Sequence, residues 1–264
     1  MIPFYDHADV QIYCGDNVTV MSEMPDASVD LTVTSPPYDN LRTYKGHAWD
    51  FENVARQLWR VTKPGGVVVW VVGDATIDGS ETLTSMRQAI FFHDVCGFNV
   101  ETMIYEIAGT GAKGSNYYYW QSWEYMFVLA KGQPKTSNRI TDVKNTGGGN
   151  VRGFAVKSAQ FNTRVERVGI VNPEWSVRPN IWRYSPADNL SDLTEHPAVF
   201  PNKLATDHIL SWSNPGDTVL DPFAGSGTTL KMAKALGRKA IGIEIAPEYC
   251  ELCVQRVSQD VLTF

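Results

Sequence analysis

The sequence predicts an α/β fold of three layers with a mostly parallel sheet, on three observations. Strand-like and helix-like segments alternate along most of the chain, the run Val67–Val72 is apolar throughout, and a glycine-rich turn at Asp221–Gly227 joins a strand to a helix. A strand without polar alternation is buried on both faces, as strands are when helices cover both sides of a parallel sheet.

The elements follow in order. Val10–Cys14 reads as a short strand ending at Gly15-Asp16, a helix-compatible stretch runs to Met24, and Val29–Val33 is an apolar strand that stops at Ser35-Pro36-Pro37-Tyr38. Residues 50–62 form an amphipathic helix, because Phe51, Val54, Leu58 and Val61 recur three or four apart; the turn Lys63-Pro64-Gly65-Gly66 closes it. The strand Val67–Val72 follows, then a helix near 80–95 and strands near 98–106 and 123–130. After Gly132 the periodicity is lost: the chain turns polar, carries Gly147-Gly148-Gly149 and reads as an insertion over 131–195. Order returns with a helix over Pro201–Trp212, the strand Thr218–Leu220, the glycine-rich turn, a helix ended by Gly237, the strand Ala240–Glu244 and a last helix near 247–260. Residues 1–264 are therefore expected to make one domain, with 131–195 inserted into it.

Composition narrows the class. At 264 residues and 43% hydrophobic the chain can bury a large core. No apolar run nears the roughly 20 residues that cross a bilayer, and the start MIPFYDHADV has no leader pattern, so a cytoplasmic protein without membrane contact is expected. Cys14, Cys96, Cys250 and Cys253 make no disulfide framework, and the Cys250/Cys253 pair lacks two further ligands for a metal. Core packing is the reading for that pair, the five histidines are scattered, and no metal is expected. The net charge is -6, yet Lys131–Arg183 holds ten basic residues against three acidic ones. Such a local excess suits contact with phosphates even in an acidic protein.

Two segments carry chemistry. In Asp221–Gly227, Gly225 and Gly227 let backbone approach a ligand lying over the strand ends, and Glu244 closes the next strand, where a carboxylate can accept hydrogen bonds from a ribose diol. Leu230 stands where a dinucleotide fingerprint needs its third glycine, and no phosphate-binding loop with Gly-Lys-Ser/Thr occurs. Adenosine without a phosphate chain is what remains. At the other segment, two prolines remove two backbone donors and leave rigid carbonyls. An aromatic amine on a base is a poor nucleophile until acceptors hold its hydrogens. Ser35 Oγ and the Pro36 carbonyl are candidates for that task, with Tyr38 stacked on the base. A Pro-Pro turn that merely ends a strand is the alternative.

Together these segments resemble the amino-methyltransferases of DNA, in the beta group, whose catalytic tetrapeptide precedes the cofactor motif. The matching residues are Tyr13–Asp16 (YCGD), Thr34–Tyr38 (TSPPY), Arg60–Gly66 (RVTKPGG), His196–Ile209 (HPAVFPNKLATDHI), Asp221–Thr229 (DPFAGSGTT) and Ile241–Glu244 (IGIE). They reach both ends of the chain and leave the insertion unmatched.

The resemblance implies the Rossmann-like methyltransferase fold, S-adenosylmethionine as cofactor and double-stranded DNA as partner. Its cofactor set is Thr34, Asp16 near the adenine, Phe200 with Lys203 by the methionine part, Asp221, Pro222, Phe223, Gly225, Ser226, Gly227 and Thr228 in the turn, and Glu244 on the ribose. Ser35, Pro36, Pro37 and Tyr38 are its catalytic loop, acting on a base flipped out of the duplex. The insertion becomes the target-recognition region, with Arg152, Lys157, Arg164 and Arg167 on DNA; a solvated surface insertion is the alternative. Because S-P-P-Y loops are mostly found in cytosine-N4 enzymes, the expected product is N4-methylcytosine, with N6-methyladenine the alternative. Related enzymes often pair, so a homodimer is compatible; a restriction–modification system is one setting for such an enzyme, a solitary or viral gene the others. Cytosine-C5 chemistry is rejected, since no cysteine sits in a candidate active loop. Relatives acting on protein or RNA carry Asn-Pro-Pro-Tyr after the cofactor turn, the opposite order. An inactive DNA-binding relative that keeps the fold is a further alternative; the loop and the turn are both intact, and labelled cofactor with genomic DNA separates the two.

Overall fold

The computed structural model describes residues 1–38, 49–107, 119, 121–154, 168–185 and 201–258, with the backbone alone for 151–154 and 168–170. Two compact units result, Met1–Asn138 with Asn180–Phe264, and Arg139–Pro179.

In the larger unit β1 (Tyr5–His7) and β2 (Val10–Cys14) form a hairpin, and Asp16 then starts α1 (Asn17–Glu23) by accepting the Thr19 N–H at 2.8 Å. Such a cap stabilises a short helix by about 1 kcal/mol. After β3 (Val29–Thr34), Asp50 caps α2 (Phe51–Val61) in the same way, through Asn53 N–H at 3.2 Å. Helix α2 buries Val54, Leu58 and Val61 of the expected stripe, with Ala55 beside them, while Phe51 is half-buried against the same core. Each such side chain contributes roughly 1.5–3 kcal/mol on full burial, Ala55 less.

The next strand, β4 (Thr62–Val72), begins earlier than expected. Lys63–Gly66 lies inside it rather than making a separate turn: the pairing with β3 jumps from Val29↔Thr62 to Leu31↔Val67, so the extra residues are taken up as an irregularity in the ladder. Gly65, at φ +77, makes this possible. The strand's two faces alternate as a doubly covered strand requires, with Val68, Trp70 and Val72 in one core together with α1 and α2.

The two-residue strands β5 (Thr76–Ile77) and β6 (Ser80–Glu81) lead to α3 (Thr84–Phe91), which continues into a π-helical turn, Phe92–Cys96. The expected strands appear as β7 (Asn99–Ile107) and β8 (Trp123–Ala130), and β8 runs antiparallel to both β4 and β7.

The smaller unit contains β9 (Thr141–Lys144), β10 (Val151–Phe154), β11 (Val168–Val171) and β12 (Trp175–Val177). They pair as two antiparallel ladders, β9 with β12 and β10 with β11. Arg178 and Asp142 form an ion pair, and Asn145 Nδ2 donates to the Pro173 carbonyl at 2.8 Å. Within the stretch expected as insertion, β13 (Ile181–Tyr184) belongs instead to the larger unit, where it adds to the main sheet beside β7.

The chain then gives α4 (Asn202–Trp212), β14 (Thr218–Asp221), α5 (Thr228–Ala235), β15 (Lys239–Glu244) and α6 (Pro247–Ser258). Gly237 follows α5 at φ +73, the expected left-handed end. The main sheet has the order β1-β2-β15-β14-β3-β4-β8-β7-β13, and the pairs from β2 through β4 are all parallel. Helices α1 and α2 pack on one face; α4 and α5 pack on each other, α4 against β3 and β4, and α5 against β14 and β15. This is the expected α/β architecture. No helix among the described residues is long and apolar enough to cross a membrane.

Candidate active site

Strand order locates the crevice. From β3 the chain crosses to β4 on one side, whereas from β14 it crosses to β15 on the other, so the gap between β3 and β14 is a topological switch point. Ligands of open α/β sheets bind beyond the strand ends at such a point. The two expected segments leave β3 and β14 there.

They are tied together: Thr34 Oγ1 donates to Asp221 Oδ1 at 2.7 Å, and the same oxygen accepts the Phe223 N–H at 3.1 Å. Thr34 and Asp221 are both buried. Burial pushes the Asp221 carboxyl up to about 6, against the hydrogen bonds from Thr34, Phe223 and Thr229 that favour its charge. Thr229 Oγ1 also lies 3.0 Å from the Val33 carbonyl, so the start of α5 is held against β3. Asn17 adds a further tie from α1, its Nδ2 donating to the Pro222 carbonyl at 3.2 Å.

The glycine-rich turn rests on α6. Gly227 has φ +81, and a Cβ there would lie 2.4 Å from Cys253 Sγ. Cys250 and Cys253 are thus buried core residues, and burial pushes the Cys253 thiol up to about 12, so it stays protonated and inert. Arg256, also buried, donates to the Ser226 carbonyl at 2.9 Å, to Ser226 Oγ at 2.7 Å and to Thr228 Oγ1 at 3.2 Å. The hydroxyls of Ser226 and Thr228 therefore hold the turn's shape. Glu244 does likewise from β15: Oε2 accepts Gly225 N–H at 2.9 Å and Oε1 accepts Ala246 N–H at 3.0 Å. A carboxylate has about four acceptor sites, the chemistry a ribose diol needs.

Asp16 is exposed and its Oδ1 also takes the Thr19 hydroxyl at 2.9 Å, so its main visible task is the cap. Lys203 Nζ lies 3.3 Å from Asp207 Oδ1, whose other oxygen takes the Tyr184 hydroxyl at 2.8 Å. Phe223 packs edge-on against Trp49, ring centroids 5.0 Å apart. Phe200, Lys157, Arg164 and Arg167 lie outside the described residues, and Arg152 sits on β10 opposite Ile170.

In the proline loop, Ser35 Oγ is 3.0 Å from the Tyr38 hydroxyl, and that hydroxyl donates to Glu124 Oε2 at 2.9 Å. No motif marked Glu124. It arrives because β8 is antiparallel to β4, which puts the start of β8 at the same sheet edge as the end of β4, with Tyr125 opposite Val72. The fit to an adenosyl cofactor rests on this frame: a carboxylate at the end of β15, a turn packed so closely at Gly227 that a Cβ would meet Cys253, and an aromatic Phe223 beside the crevice.

The comparisons agree with this chemistry. The family model described as DNA methylase matches residues 29–255. The orphan methyltransferase M.BamHII of Bacillus amyloliquefaciens is 49% identical over 245 residues, covering 90% of this chain and 91% of that protein. The DNA adenine methyltransferase YhdJ of Escherichia coli (strain K12) is 31% identical, covering 92% and 81%. Among solved structures, the PvuII DNA methyltransferase (cytosine-N4-specific) has a TM-score of 0.69 at 22% identity, covering 99% of this chain and 90% of that one. A DNA modification methylase of Thermus thermophilus, complexed with S-adenosyl-L-methionine, has a TM-score of 0.60 at 26% identity, covering 94% and 96%.

Proposed function

Since this chain belongs to the DNA methylase family and is an S-adenosylmethionine-dependent DNA methyltransferase, we propose that its product is N4-methylcytosine. The observation that carries the reading is Ser35 at the head of the proline loop, held at the switch point by the neighbouring Thr34–Asp221 hydrogen bond. The S-P-P-Y form of the loop, and the cytosine-N4-specific PvuII enzyme as a structural neighbour, favour cytosine. The adenine-specific relative from Escherichia coli favours N6-methyladenine as the second reading.

The cofactor supplies an electrophilic methyl group on a sulfonium. Glu244, Asp16, Lys203, Phe223 and the Asp221–Thr228 turn would bind and orient it, Glu244 through its carboxylate. Ser35 Oγ and the Pro36 carbonyl take the hydrogens of the target amine and bring its lone pair out of conjugation with the ring. The Pro36-Pro37 backbone keeps those acceptors rigid, and the Tyr38 ring faces the flipped base. Bound there, the cofactor would supply its methyl group to that lone pair, and the proton the amine sheds would leave to water. Residues 131–195, with Arg152, Lys157, Arg164 and Arg167 on phosphates, serve as the target-recognition region of a protein that takes duplex DNA.

Unmethylated DNA incubated with enzyme and cofactor, digested to nucleosides and read by mass spectrometry tests the reading. N4-methyldeoxycytidine is the expected peak. N6-methyldeoxyadenosine without it would overturn the base assignment.

A further inference from the structure

We propose that Glu124 is a positioning residue that sets the direction of the hydrogen-bond chain Ser35–Tyr38–Glu124, so that Ser35 meets the target amine as an acceptor. The inference rests on the reading of Ser35 given above.

A serine hydroxyl both donates and accepts, whereas the exocyclic amine of a base presents two N–H donors and a lone pair delocalised into the ring. Ser35 helps only if its own proton points elsewhere. Tyr38 has one proton, and it goes to Glu124 Oε2 at 2.9 Å. The Tyr38 oxygen is left as acceptor toward Ser35 Oγ, 3.0 Å away. The Ser35 proton is therefore drawn to Tyr38, and the Ser35 lone pairs stay available. The loop's own backbone protects them too: serine oxygens commonly take the N–H two residues on, and that residue is Pro37, which has none.

The packing provides for this chain. Gly73 follows β4 directly, and a Cβ there would sit 3.5 Å from the Tyr38 ring and 3.6 Å from Glu124 Cγ. Its bare backbone is the wall against which both side chains lie. With Glu124 neutralised, Tyr38 can donate to Ser35, which consumes a Ser35 lone pair and turns the serine proton toward the amine.

The test uses the full chain, unmethylated duplex DNA and isotopically labelled cofactor in single turnover. Glu124→Gln and Tyr38→Phe should each slow methyl transfer at least tenfold while the dissociation constants for cofactor and DNA stay within about twofold. The double variant Tyr38→Phe/Glu124→Gln should be no more than about twofold slower than Tyr38→Phe alone, because Glu124 acts through the tyrosine hydroxyl. Glu124→Asp, which keeps the charge and shortens the reach, should be slow as well, and it carries the same comparison if the glutamine variant fails to fold. An unchanged rate in Glu124→Gln, or single effects that multiply in the double variant, would overturn the proposal. A wild-type protein that labels no base in any DNA would instead overturn the functional reading beneath it.

Discussion

Gly227→Ala puts a methyl group where the structure has no room, and the damage can be apportioned. The residue has φ +81, a left-handed conformation that costs an alanine about 1–2 kcal/mol. The new Cβ would also lie 2.4 Å from Cys253 Sγ, so α5 and α6 must move apart; overpacking of this kind costs about 1–3 kcal/mol. The expected loss is about 2–5 kcal/mol, below the usual stability of a domain, so the variant should still fold. Cys253→Ala removes the clashing sulfur and leaves only the ordinary close approach of the Cys253 Cα and Cβ, each 3.4 Å from the new atom. In the double variant the steric part should vanish while the conformational part persists. Urea unfolding of the four proteins, followed by circular dichroism, should therefore give a coupling of about 1–3 kcal/mol in favour of the double variant. Strict additivity would refute the assignment of Cys253 as the floor of the turn.

Ser35→Ala should lower the methyl-transfer rate at least a hundredfold, on the order expected for losing a positioned group, with cofactor affinity kept. Glu244→Ala should weaken cofactor binding tenfold or more, because it strands the Gly225 and Ala246 N–H groups and removes the diol acceptor; calorimetry showing the opposite division would refute both roles. For DNA, log affinity should fall steeply with log salt, and replacing Arg152, Lys157, Arg164 or Arg167 by alanine should flatten that slope by roughly one unit per lost phosphate contact. Unchanged slopes in all four variants would remove the basic stretch from the interface.

What was legible in the sequence is what local rules write. The stripe Phe51–Val61, the glycine after α5, the spacing of Asp221 and Glu244 and the unbroken apolar run of β4 each depend on neighbours a few residues apart. What escaped depends on long-range placement. Glu124 lies 86 residues from Tyr38 and meets it only because β8 runs antiparallel beside β4. Asn17 reaches the turn from the far end of the chain, and Arg256 would read as any exposed helical arginine until α6 is laid under the turn. Strand β13 hid inside a polar stretch for the same reason: its partner in the sheet, β7, is remote in sequence, with Ile181 pairing Ile104. The Lys63–Gly66 turn failed differently, because Pro-Gly-Gly signals a break, and the ladder absorbs it instead.

The place of β2 also has a bearing on how the chain assembles. Val10 and Ile12 are wholly buried, and β2's parallel partner is β15, so the strand's main ladder cannot form until residues 239–244 exist. At synthesis rates of about 5–20 residues per second, that is a wait of roughly ten to fifty seconds on the ribosome. The nascent chain must keep apolar strand residues out of wrong pairings, and slow, non-local closure of this kind is where folding yield is lost. Substitutions in β15 that leave the finished protein stable can thus still lower the amount recovered from a cell, by lengthening the time for which β2 waits.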